Sequence, residues 1–341
     1  MSLFNIYPGS FIFMVMITPA SHKIFSCDWG TSNFRLRLID TDTAEAIDEI
    51  TSGEGISSVF NSWSGTGTDR QQFYAAVLQK YISILAERAD QSLQNIPVII
   101  SGMASSTLGI TELNYAGLPF KSDGGSVAHR KINIEGFTHE IFLLSGVCSE
   151  KDVMRGEETQ WIGLMQDAQF TEVAELMFIM PGTHSKHIFV KDGEIIDFKT
   201  YMTGEFFNLL STISVLKNSV SVPHSLEDTS NRDAFISGVR AAASPNILHE
   251  SFMVRTNELF GRFNKKENAS YLSGLLIGTE VRQSGPSKTI LAAGETLSKP
   301  YQLALENSGT TIDLTICSPA MLDKAVILGQ LTIFKKITGA R

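Results

Sequence analysis

Two stretches share one build: Phe25-Ser26-Cys27-Asp28-Trp29-Gly30-Thr31-Ser32 and Phe178-Ile179-Met180-Pro181-Gly182-Thr183-His184-Ser185. In each, an apolar run enters a Gly-Thr turn and a second strand-like run leaves it. Apolar runs of this length bounded by turn residues read as buried strands. Outward from the first turn, strands are expected over Lys23 to Asp28, Asn33 to Asp40 and Ala44 to Ile50. A helix follows from Asp69 to Ala89, with Phe73, Val77, Ile84 and Leu85 near helical spacing. Strands come next at Ile96 to Ile100 and His139 to Leu144. Outward from the second turn the order repeats. Strands are expected at Leu176 to Met180, His187 to Val190 and Glu194 to Tyr201, the last two joined by an Asp192-Gly193 hairpin turn. Helices follow over 204–216, 232–243, 247–263 and 269–282. A strand at Thr289 to Ala293, a helix at Glu295 to Glu306, a strand at Thr311 to Ile316 and a closing helix at Met321 to Phe334 complete the chain. A strand-rich order met twice predicts a duplicated α/β domain whose halves face each other across a cleft.

The halves are expected at 22–150 and 151–341, with 1–21 outside the fold. No Lys, Arg, Asp or Glu precedes Lys23. A secretory leader begins with positive charge, and a membrane span needs about 20 apolar residues. Phe11 to Ile17 is too short, and Pro8, Gly9 and Pro19 flank it. Two readings stay open, a processed leader and an upstream extension with synthesis starting at Met14 or Met16. The chain has 341 residues, 43% of them hydrophobic and 19% charged, enough to bury a core and to exclude global disorder. Its formal charge of −8, with no basic run, excludes the electrostatic footprint of a nucleic-acid binder. Three distant cysteines, Cys27, Cys148 and Cys317, form no CxxC pair, which points to a reducing, cytoplasmic setting. Whether the chain self-associates stays open.

A Gly-Thr turn between strands lets backbone N–H groups converge on an anion, and the neighbouring hydroxyls add donors. Two such turns opposed across a cleft can grip a polyphosphate from both sides; singly, each is an ordinary hairpin. Only the first carries an acid two residues before its glycine: Asp28 before Gly30, against Met180 before Gly182. One carboxylate beside a phosphate nest suits Mg²⁺, which keeps most of its waters. Moving a phosphoryl group to a hydroxyl calls for a base. Arg155-Gly156-Glu157-Glu158 precedes a helical run and supplies two acids, although acids at a helix start also answer the macrodipole. Arg155 can bind an anionic substrate group or pair with a surface acid. Lys186 can reach a phosphate or lie solvated at a strand edge. His184 and His187 lack a third ligand nearby, which argues against a metal. No GxxxxGK[ST] loop is present, so the P-loop class is excluded.

The run Asp28-Trp29-Gly30-Thr31-Ser32-Asn33-Phe34-Arg35 resembles the first phosphate motif of the sugar kinase, Hsp70 and actin superfamily. Within it the chain resembles the 2-dehydro-3-deoxygalactonokinase family. The residues that carry this are Val153 to Gln160, Met180 to Lys186, Met202-Thr203-Gly204-Glu205, Leu272 to Gly278 and Ser101 to Ser105. The resemblance implies two actin-like (ribonuclease H-like) lobes around an ATP–Mg²⁺ cleft. It also implies transfer of the γ-phosphoryl group of ATP to the C6 hydroxyl of 2-dehydro-3-deoxy-D-galactonate. By the same resemblance the base falls on Glu157, with Glu158 and Glu205 as rivals. Gly30, Thr31, Ser32, Gly182, Thr183, His184 and Lys186 would hold phosphates, Gly294 would line the adenosine site, and Asn33 and Arg155 would meet the sugar acid. Asp28 would position the Mg²⁺. Another sugar-acid kinase of the superfamily, or a non-enzymatic ATP-binding switch, are the competing readings.

Overall fold

The computed structural model describes residues 22–222, 225–282, 285–286, 288–309 and 311–339. The expected leader or extension at 1–21 lies outside the described residues.

In the first half, β1 (Lys23–Trp29), β2 (Phe34–Asp40) and β3 (Glu45–Ser52) form an antiparallel meander. Two helices follow, α1 (Ile56–Trp63) and α2 (Arg70–Ala89), then strand β4 (Val98–Gly102). Short strands β5 (Phe120–Lys121), β6 (His129–Ile132), β7 (Ile141–Leu144), β8 (Val147–Cys148) and β9 (Val153–Met154) lead to α3 (Glu157–Leu164) and α4 (Ala168–Thr171). The second half starts with β10 (Glu175–Met180), β11 (Ser185–Lys191) and β12 (Glu194–Tyr201). Helices α5 (Thr203–Thr212), α6 (Thr229–Ala241), α7 (Ile247–Leu259) and α8 (Lys265–Val281) come next. The chain ends with β13 (Lys288–Leu291), α9 (Glu295–Asn307), β14 (Asp313–Ile316) and α10 (Pro319–Thr338).

The sheets show the duplication directly. The first has the order β3-β2-β1-β4-β7-β6 and the second β14-β13-β10-β11-β12-β5. In both, three antiparallel strands are extended by two parallel ones, β4 and β7 beside β1, and β13 and β14 beside β10. This shared order is the ribonuclease H-like lobe, met twice, as the sequence leads one to expect. The sixth strands differ. β6 extends the first sheet at β7, whereas β5 leaves the first half to pair with β12.

Local chemistry explains several element ends. Asp69 caps α2 by accepting from Gln72 N, and Asn264 with Glu267 forms a capping box on α8. Ser318 caps α10 ahead of Pro319, and Gly339 closes it in the left-handed region. Asp192 and Gly193 both take positive φ, the primed turn that suits a hairpin. The single helix expected over 204–216 is interrupted: α5 ends at Thr212, and Ser214 caps a separate 3-10 turn at Val215–Asn218.

One core lies between the two sheets and contains α3 and α10. Trp161, Ile162 and Leu164 pack there with Leu322, Ala325, Leu331 and Ile333 of α10, among Ile24, Ile99 and Phe142 from one sheet and Phe178, Ile188 and Phe198 from the other. The two helices cross at glycines. A Cβ on Gly163 would fall 1.7 Å from the Ala325 carbonyl oxygen, and one on Gly329 would fall 1.9 Å from that of Thr159. The second half repeats the device where α6 crosses α8 at Gly238 and Gly274. Among the described residues no helix is long and apolar enough to cross a membrane.

Candidate active site

Both glycine turns are held from behind in the same way. After its third strand, each half starts a helix against its own turn. In the first, Ile56 N donates to Gly30 O at 2.9 Å and Ser57 N to Thr31 O at 3.1 Å. In the second, Glu205 N donates to Thr183 O at 3.1 Å. Gly55 and Gly204 supply the clearance: a Cβ at either would lie within 2.6 Å of turn backbone, at Thr31–Ser32 and Gly182 respectively.

The turns line one cavity of about 640 Å³ between the halves. Gly30, Thr31, Ser32 and Asn33 face it from one side, and Gly182, Thr183, His184 and Lys186 from the other. Arg155 and Glu157 also line it, so ten of the residues singled out from sequence meet here. A second cavity, about 750 Å³, shares Gly30, Asn33, Gln160, Pro181 and Ala292 with the first and adds Asp28, Arg35, Arg37 and Gly294. A third, about 540 Å³ and mostly apolar, starts at Gly182 and Thr183 and runs between α5, α8 and α9, past Phe207, Ile277, Leu297 and Tyr301. Gly294 caps α9 but faces the second cavity; Thr296, Leu297 and Lys299, just beyond it, line the third. Thr203, Ser225, Glu227 and Ser273, which also line the third cavity, were not singled out as site residues. They come from α5, α8 and the loop before α6 and share no local motif, although Thr203 and Ser273 fall inside stretches that carry the family resemblance.

The two adjacent acids of α3 have opposite fates. Gly102 (φ 92°) and Gly156 (φ 106°) abut, an added Cβ at Gly156 lying 3.4 Å from Gly102 Cα. This close approach places the start of α3 against the end of β4. Glu158 turns inward and is 1% exposed. Its carboxyl accepts from Gly156 N at 2.8 and 3.0 Å and from Thr159 Oγ1 at 3.2 Å. Burial, helped by the neighbouring Glu157, pushes it up to about 8. Glu157 turns to the cavity. Its Oε1 pairs with Lys186 Nζ at 3.0 Å, and its Oε2 accepts from Arg155 N at 3.1 Å. Lys186 also donates to His184 O at 3.0 Å. Glu205, the remaining acid, sits 2.5 Å from His184 Nε2.

The state of Glu158 sets a pH dependence. Between about pH 5 and 8 the unfolded chain ionises this group while the folded one keeps it protonated, so stability falls as pH rises through that window and levels off above it. Glu158→Gln should remove this component. Urea midpoints at pH 5.5 and 8.5 are expected to show a smaller fall for the variant than for the parent; equal falls would sink the idea.

Asp28, at the end of β1, is lifted above the ordinary carboxylate range by burial, against the lowering influence of Arg35 and Arg37 and with Glu157 pushing the same way. Arg35 and Arg37 both reach Asp323 of α10, Arg35 at 2.9 Å, and Arg37 also pairs with Glu49 at 3.0 Å. Arg155 has another kind of environment. Its guanidinium donates to Ser105 Oγ at 2.6 Å, Tyr115 OH at 3.1 Å and Leu113 O at 3.2 Å, and stacks 4.0 Å from the Tyr115 ring. All are neutral partners; among the described residues no carboxylate pairs with it. A fixed cation without a counter-charge lines the cleft.

Residues 28–326 match the family model described as 2-keto-3-deoxy-galactonokinase. The chain belongs to this family. It is therefore one of a family of ATP-using sugar-acid kinases. Over 302 residues it is 30% identical to the 2-dehydro-3-deoxygalactonokinase of Escherichia coli (strain K12), an alignment spanning 85% of this chain and 91% of that protein. The crystal structure of a candidate 2-dehydro-3-deoxygalactonokinase from Sinorhizobium meliloti superposes with a TM-score of 0.75 at 26% identity, covering 92% of this chain and 99% of that one. The match begins at Asp28 and ends inside α10, so it takes in both turns, α3 and all three cavities.

Proposed function

We propose that the protein transfers the γ-phosphoryl group of ATP to the C6 hydroxyl of 2-dehydro-3-deoxy-D-galactonate. The observation that supports this most is the single cavity in which Glu157 and the unpaired cation of Arg155 lie between two glycine turns. Nucleoside fits the apolar third cavity, whose mouth is Gly182-Thr183. Phosphates then run between the turns, where Gly30, Thr31, Ser32, Gly182, Thr183, His184 and Lys186 offer donors. The sugar acid lies beyond them, its carboxylate on Arg155, which a guanidinium can bind through two parallel hydrogen bonds, and its hydroxyls near Asn33. Glu157 accepts the proton of the attacking hydroxyl during in-line transfer. Lys186 holds the orientation of that carboxylate and brings positive charge to where phosphate charge is displaced.

Mg²⁺ fits the residues present. Asp28 is a carboxyl lifted by burial and by a second acid, a condition that a divalent cation relieves. Asp28 would hold the ion through water, and the ion would supply charge neutralisation along the phosphates. Such a site needs one carboxylate beyond water and phosphate, and no cluster of three metal-ligating residues occurs among the described residues.

The test is ADP release with ATP–Mg²⁺ and either 2-dehydro-3-deoxygalactonate, 2-dehydro-3-deoxygluconate or no acceptor. Turnover is expected with the galacto acid alone; turnover confined to the gluco acid would reassign the substrate, and none with either would remove the sugar-acid reading. Arg155→Ala should raise KM for the acid about 30-fold or more while leaving KM for ATP within about threefold. An unchanged acid KM would place the substrate carboxylate elsewhere.

A further inference from the structure

The third cavity is walled by elements far apart in sequence, and one buried side chain that does not line it ties them together. Glu280, in the last turn of α8, is 2% exposed. Its Oε1 accepts from Ser185 Oγ at 2.6 Å and lies 2.9 Å from His187 Nε2. Its Oε2 accepts from Tyr301 OH at 2.7 Å and from Thr203 Oγ1. Two partners per oxygen use the full acceptor capacity of a carboxylate.

The four partners lie on three elements, β11, α5 and α9, and His187 shares β11 with Ser185. Ser185 opens β11, two residues past Thr183 of the second turn. Thr203 is the first residue of α5, next to Gly204, where an added Cβ would fall 2.6 Å from Gly182 O and 2.9 Å from Thr183 Cα. Tyr301 lies on α9, and both it and Thr203 line the cavity. Burial, with Glu280 beside it, drives the Tyr301 phenol far upward, so the hydroxyl stays a donor. A buried acid with this many partners costs folding free energy if any is lost. A bland residue would do if only packing were needed.

We propose that Glu280 is the positioning residue of the nucleotide cavity: its carboxylate fixes the second glycine turn, the start of α5 and Tyr301 of α9 in one arrangement, so that nucleotide affinity depends on it. This rests on the reading of the third cavity as the nucleoside site. Glu280 neither lines the first cavity nor contacts Glu157, so its influence is expected to fall first on ATP, through the second turn and α9, and least on the sugar acid.

Glu280→Gln keeps the volume but turns a donor toward donors. It is expected to raise both the calorimetric Kd for ATP–Mg²⁺ and KM for ATP about tenfold or more. KM for the acid should stay within about twofold, and kcat at saturating ATP within about threefold. A general loss of packing would not separate the two substrates in this way. Ser185→Ala, which removes one partner and leaves the carboxylate, should raise the ATP Kd about threefold, and it decides the matter if the glutamine variant does not fold. A folded variant set with parental ATP affinity overturns the inference and leaves the kinase reading intact. Failure of the parent chain to bind ATP–Mg²⁺ in the calorimeter overturns both.

Discussion

Glu157→Gln is expected to lower kcat about 10³-fold, within the range general-base catalysis commands, while KM for ATP changes less than about threefold. The substitution conserves size and leaves α3 in place, since Glu157 is partly exposed and Glu158 makes the buried hydrogen bonds. What it removes is the only basic oxygen the helix turns to the cavity. It also leaves Lys186 without the oxygen it pairs with at 3.0 Å. Stopped-flow single turnover with saturating ATP separates the transfer step from product release. An active variant would shift the base to Glu205, whose partner His184 lies on the same cavity, because Glu158 is buried away from it. Glu158→Gln is the natural control and should keep kcat within a few-fold.

Gly163→Ala is expected to cost about 3 kcal/mol of stability and to lower kcat/KM with it. In an exposed helix the same change stabilises by roughly 1 kcal/mol. Here the new methyl would fall 1.7 Å from the Ala325 carbonyl oxygen, a backbone atom of α10 that no rotamer change can move. Overpacking of this kind commonly costs about 1–3 kcal/mol, and the crossing has little room to relax because Gly329 meets Thr159 just as closely. The helices must separate, and α3 carries Glu157 at its first position. Stability and catalysis should therefore fall together. Urea unfolding and steady-state kinetics on one preparation check this; a variant as stable as the parent would show that the helices do not meet as described.

Legibility followed locality. The strands beside the two turns, the Asp192-Gly193 hairpin and most helices could be placed from their own residues, because a period of two, a glycine turn or a capping side chain lies within a few positions. The opposed turns were legible as well, since the echo between Asp28–Ser32 and Met180–Ser185 is itself a sequence feature. α1 was not, because only Ile56 and Val59 are buried on it and no cap side chain marks its start. β5 was not, because two residues become a strand only through the partner β12 supplies. Composition alone did not separate Glu157 from Glu158, and only the family resemblance put Glu157 first; the structure turns Glu157 to the cavity and buries Glu158. The third cavity was the least legible. Its polar groups come from α5, α8, α9 and the loop before α6, and Glu280, which ties α8 to α5, α9 and β11, sits in a helix whose apolar pattern gives it no mark.

The crossing of the halves has a consequence for synthesis. A chain leaving the ribosome presents the first sheet long before α10, yet α10 covers one face of that sheet, with Gln330 donating to Cys27 O at 2.9 Å and Ser101 Oγ at 2.8 Å. One face of that sheet packs against α1 and α2 from residues of the first half alone, with Phe25, Leu36, Val59, Leu78 and Ile100 in one cluster, whereas the opposite face takes its cover from α10. During synthesis, at about 5–20 residues per second, the face that α10 covers is the last part of the first sheet to find its native partners.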